Sequence, residues 1–172
     1  MATNTTRNNS YIADTNLQNI LHKEIDLIEQ CISRMSQHSF YLKAWTISLI
    51  GVIFTFLANK NIKDYIPINI ILIISTIAFW YLDSYFLRLG RMYRKLYSWV
   101  IVNRMTTTEK LYNLDAKQRF KSNVDGQLKT MFSESVIIFY GMILFLLLIF
   151  LIYNLHPQIT NILHKITTML HS

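Results

Sequence analysis

Arg34 and His38 stand four apart, with only Met35, Ser36 and Gln37 between them, so on a helix they share one face. The pair also lies directly before a long apolar run, where an arginine at headgroup level and an interfacial histidine account for it better than catalysis does. His22, His156, His164 and His171 show no metal-ligand spacing. The last two are seven apart, with no carboxylate near them. Cys31 is the only cysteine, which excludes an intrachain disulfide and a thiolate metal site. No phosphate-cradling glycine loop, nucleophile elbow or pair of catalytic carboxylates occurs. The residue types therefore predict no enzyme, no metal and no cofactor.

The remaining charges read as positional. Glu24, Asp26 and Glu29 form a solvated face of a helix, available for individually weak ion pairs. Asp83 borders an apolar run, and a carboxylate there needs water or a cation. It reads either as an interfacial cap or as half of a structural ion pair, with a role in ion conduction a distant third. Arg91 and Arg94 are too far along the same helix, so a partner would come from elsewhere in the chain. Arg88, Arg91, Arg94 and Lys95, interleaved with Tyr85, Tyr93, Tyr97 and Trp99, suit either an RNA face or anionic lipid headgroups. Beside a span the lipid reading fits better, and direct nucleic-acid binding is not expected.

The elements that must carry these residues are helical. The chain has 172 residues, 52% of them hydrophobic, and a formal charge of +7. The apolar residues are clumped into runs, which points to a membrane protein. The expected fold class is all-α, an integral membrane protein with about three transmembrane helices and cytoplasmic helical extensions. Residues 1–13 read as a disordered polar arm. Asp14 or Thr15 would then cap an amphipathic helix over 14–43, with Leu17, Leu21, Ile28, Cys31 and Met35 along one stripe. Residues 44–58, free of charge, form a first span, with Lys43 snorkelling to the headgroups. A polar turn containing Lys60 and Lys63 leads to a second span over 66–82.

Residues 83–134 form a basic helical segment. Its apolar face is Phe86, Leu89, Tyr93, Leu96 and Val100, and Gly90 costs about 1 kcal/mol against alanine. Thr106 and Glu109 resemble a capping box that opens a short helix over 110–120. Residues 136–155 are the third and most apolar span. Pro157 ends it, and 158–172 form an amphipathic tail. Basic residues concentrate before the first span and between the second and third. The positive-inside rule then places the N-terminus and 84–134 in the cytoplasm and the C-terminus outside.

Within the first span, Ala44, Ser48, Gly51, Thr55 and Ala58 follow steps of four, three, four and three. This line of small residues permits close backbone approach. Two readings stand: packing against the other spans of the same chain, or self-association into a ring. Lys43 and Arg34 would sit at the cytoplasmic vestibule of such a ring.

The stretches LHKEIDLIEQCISRMSQHSF, KAWTISLIGVI, FWYLDSYFLRLGRMYRKLYSWV and MFSESVIIFYGMILFLL, in that order, resemble a family of small bacterial membrane proteins of anti-phage defence loci. Among them is the ancillary membrane protein of type VI-B CRISPR systems. The resemblance rests on Trp80 to Asp83, Tyr85, Arg88 and Arg94 to Tyr97. It implies a homo-oligomeric inner-membrane pore, an eight-membered ring, that depolarises the membrane once an RNA-guided RNA nuclease has recognised phage RNA. It also implies a divergent HEPN ribonuclease motif, for which Arg34 and His38 are the only match, at a shorter spacing than that motif uses. The alternatives are a non-conducting anchor or scaffold for a cytoplasmic partner, and a membrane-tethered HEPN-like ribonuclease.

Overall fold

A computed structural model describes residues 2–59 and 65–170, with side chains placed for 15–57, 65–156, Thr160 and Thr167. The expected turn around Lys60 and Lys63, the packing of Ala58, and His164 and His171 fall outside the described residues or side chains. The fold is all-α, with no strand among the described residues. Its elements are α1 (Ala2–Asn59), α2 (Ile66–Asn103), α3 (Ala116–Phe120), a 3-10 turn (Lys121–Asn123), α4 (Gln127–Met131) and α5 (Glu134–Leu170). Within α1, α2 and α5 lie three helices long and apolar enough to cross a membrane: Thr15–Leu57, Ile66–Asn103 and Glu134–His156.

Three boundaries differ from the sequence reading, each for a physical reason. α1 begins at Ala2, so neither a polar arm over 1–13 nor a cap at Asp14 or Thr15 is present. Extending an existing helix costs far less than nucleating one, and no glycine or proline interrupts these residues. α5 continues through Pro157 to Leu170, so the tail is not a separate element. A proline removes one backbone hydrogen bond, and a helix of this length keeps the rest. The helix expected over 110–120 is only Ala116–Phe120. Thr107 takes the Glu109 amide into a local turn, and Lys110 and Tyr112 adopt φ of 54° and 55°, which no helix tolerates. The working cap is Asp115, whose carboxylate accepts from the Gln118 amide at 2.9 Å.

The chain divides into two compact units. The first comprises Met1–Phe40 and Tyr85–Thr130. Its core is built from the apolar stripes of the two long helices. Ile28 is fully buried with Met92, Leu96, Val100 and Ala116, and Leu21, Ile25, Ile32, Leu89 and Phe120 pack around them. The second unit comprises Tyr41–Ser84 and Met131–Ser172. Leu42, Leu57, Leu72, Val136 and Leu147 are buried in it. Phe54 meets Phe150 edge-on at 5.2 Å, and Trp80 stacks on Tyr140 at 6.3 Å. Its outer surface carries Trp45, Phe56, Ile74, Ile138, Phe145 and Ile152, each more than 60% exposed. An apolar exterior of this kind is stable in lipid and aggregates in water.

Candidate functional site

In the second unit several polar groups lie inside. Asn69, Thr76 and Asp83 recur at intervals of seven on α2, which puts them on one helical face, and each is at most 2% exposed. Thr46 of α1 and Tyr140 of α5 are equally buried. The Lys43 ammonium lies 2.7 Å from Asp83 Oδ2. Lys43 is thus engaged with a carboxylate while remaining a quarter exposed, and Asp83 is half of an ion pair within the unit. The Tyr140 hydroxyl lies beside Asp83 and Thr46 without meeting hydrogen-bond geometry with either. Asn69 donates from Nδ2 to the Leu147 carbonyl at 3.0 Å, while its Oδ1 accepts nothing. Thr46 and Thr76 donate to the carbonyls of Leu42 and Leu72, at 2.7 and 2.8 Å, which leaves their oxygens able to accept.

The small-residue line of α1 points the other way. Ser48, Gly51 and Thr55 are exposed, and Ala44 is half-buried. A Cβ built on Gly51 meets no atom within 4 Å. Packing against the other spans of the same chain is therefore not the use of this face.

The first unit holds a second buried ion pair, which sequence reasoning missed. Glu24 and Arg104 have side chains 2% exposed, and Arg104 Nε and Nη2 donate to the two oxygens of Glu24 at 2.5 and 3.1 Å. Glu24 also accepts from the Tyr112 amide at 2.7 Å, and Arg104 Nη1 donates to the Thr107 and Glu109 carbonyls. Glu24 is therefore no part of a solvated acidic face. It ties α1 to the end of α2 and fixes the turn that follows. The guanidinium of Arg104 lies 5.5 Å from the Trp99 ring and that of Arg119 lies 3.6 Å from it.

The basic row on α2 divides into two uses. Arg88 donates to the carbonyls of Asp125 and Lys121, so its guanidinium holds a loop. Arg91 lies 3.7 Å from the Asp125 carboxylate. Lys129 hydrogen-bonds that carboxylate and holds Asp125 below the usual carboxylate range. Arg94 and Lys95 are exposed, and with Arg91, Ser98 and Asn123 they line an open groove of about 420 Å³. Burial raises the Tyr93 hydroxyl pKa in the same unit.

Arg34 and His38 are both exposed on α1. Arg34 Nη2 lies 3.6 Å from Cys31 Sγ, and the His38 ring packs on Phe86 at 4.9 Å. Among the described residues, no three histidine, cysteine, aspartate or glutamate side chains are grouped to hold a metal ion. No family model, curated protein or solved structure matches the chain.

Proposed function

We propose that the protein is a homo-oligomeric membrane pore of the bacterial inner membrane. It acts as an anti-phage defence effector that enhances RNA-guided RNA-targeting immunity by depolarising that membrane. The observation that carries the pore is the exposed line of Ser48, Gly51 and Thr55 on a span. A face with no atom within reach of Gly51 Cβ is free to receive the same face of another copy. The defence setting, the nuclease pathway and the eight-membered ring rest on the resemblance of the four stretches named above. The distribution of basic residues supports an orientation with the N-terminus and 84–134 in the cytoplasm and the C-terminus outside. Arg94 and Lys95 then face the anionic headgroups of the inner leaflet.

Planar-bilayer recording of the purified protein, with particle mass in detergent, tests this reading. Discrete conductance from a large closed assembly is expected. A monomer or dimer without conductance leaves an anchor or scaffold for a cytoplasmic partner. Gly51→Leu adds a side chain to a face that is empty within the protomer, so folding is kept while the assembly shrinks on a sizing column. An unchanged oligomer would remove this face from the interface. His38→Ala is expected to leave defence intact. Its loss with normal assembly would restore the ribonuclease reading.

A further inference from the structure

We infer that the open groove of the first unit is a binding site for a phosphate monoester. One wall is α2. Arg91, Arg94 and Lys95 stand there at spacings of three and four, and all three line a groove of about 420 Å³, the size of a small-ligand site. Like charges at those spacings repel one another across a helical turn, so helix stability does not account for the cluster. The Arg94 carbonyl accepts from the Ser98 hydroxyl at 3.0 Å. Among the described residues, the Arg94 guanidinium and the Lys95 ammonium are held by no hydrogen bond or ion pair.

The other wall is fixed in advance. Arg88 donates to the Lys121 and Asp125 carbonyls, and Lys129 lies 2.8 Å from Asp125 Oδ1, so the loop carrying Asn123 and Asp125 is tied to α2 and α4. The Ser122 hydroxyl donates to Asn123 Oδ1 at 3.2 Å, which leaves the Asn123 amide nitrogen as a donor. Charge selects the ligand. Three cations against one carboxylate leave the groove two positive charges. A phosphate monoester carries about −1.5 to −2 at pH 7 and three acceptor oxygens, which guanidinium forks match. A carboxylate or a phosphodiester brings one charge and leaves a cation unmet. Arg94 also lines a second groove, with Glu29, Ser33 and Tyr97. The carboxylate there repels a second phosphate and accepts hydrogen bonds from a hydroxylated remainder. The lipid contact proposed above for Arg94 and Lys95 is one source of such a phosphate, and a soluble ester is the other. The site stands whether or not the protein conducts.

The test is calorimetric titration of the full-length protein, in a neutral maltoside detergent, with glycerol 3-phosphate. Saturable binding of one molecule per protomer, millimolar or tighter, is expected. Arg94→Gln should weaken it about tenfold or more without lowering the melting temperature, since the side chain is exposed. Lys117→Gln removes the same charge from the same unit outside the groove and should leave binding nearly unchanged. The titration is then repeated in phosphatidylcholine vesicles containing phosphatidic acid or phosphatidylglycerol. Displacement of glycerol 3-phosphate by phosphatidic acid alone makes the source a lipid headgroup, and displacement by neither makes it a soluble ester. Displacement by both, no saturable binding by the wild type, or equal weakening by Arg94→Gln and Lys117→Gln overturns the site.

Discussion

The two units bury charge in opposite ways. Glu24 and Arg104 are each 2% exposed, and nearly every donor and acceptor between them is engaged, by each other and by three backbone groups of the following turn. Asp83 is as deeply buried, yet Lys43 is a quarter exposed and one carboxylate oxygen accepts nothing. A saturated cluster has no capacity left and can only hold structure. An unsaturated one keeps an acceptor that nothing in the unit fills. The difference teaches which of two similar-looking ion pairs is architecture and which is a candidate working part.

The sharpest way to break the contrast is Glu24→Ala. It strands a buried guanidinium and is expected to cost about 3–5 kcal/mol, read as a loss of thermal stability in detergent. The double change Glu24→Leu with Arg104→Met should recover most of that loss. Asp83→Ala should cost less, about 2 kcal/mol, because the Lys43 ammonium can turn toward water once its partner is gone. Equal losses at the two sites would erase the distinction. Gly90→Ala carries the opposite sign. The added Cβ meets Met35 Cβ at 3.7 Å, an ordinary contact, so the first unit should gain about 1 kcal/mol from helix propensity. The smallest effect is at the exposed Asp125. Its folded pKa is depressed by Lys129, so its contribution is present above the usual carboxylate pKa and fades as pH falls through the depressed value. Asp125→Asn should flatten the acid side of the stability profile slightly and leave neutral pH unchanged.

Much of the architecture was legible because its cause is local. Uninterrupted apolar runs mark the spans, and the stripe holding Ile28, Leu96 and Val100 marks the first core. The Glu24–Arg104 pair was not, because its members are eighty positions apart and Glu24 travels with Asp26 and Glu29, which are exposed. A trace existed: Glu24 stands three after Leu21 and four before Ile28, and Arg104 stands four after Val100, so each lies on an apolar stripe. The heptad of Asn69, Thr76 and Asp83 was equally readable. It was hidden by the apolar residues around it, which satisfy a span by composition alone. The partner of Asp83 could not be named in advance, since nothing local selects Lys43 over another cation. The positive φ at Lys110 and Tyr112, which ends the expected short helix, depends on the distant carboxylate that takes the Tyr112 amide.

Trp99, held between two guanidinium groups, is a built-in optical gauge. Indole emission responds to cations resting on its ring, and Arg104 is anchored by Glu24. Any movement that loosens that anchor will alter the colour or brightness of this residue, so in a chain with Trp45 and Trp80 replaced the first unit can be watched at work without attaching a dye.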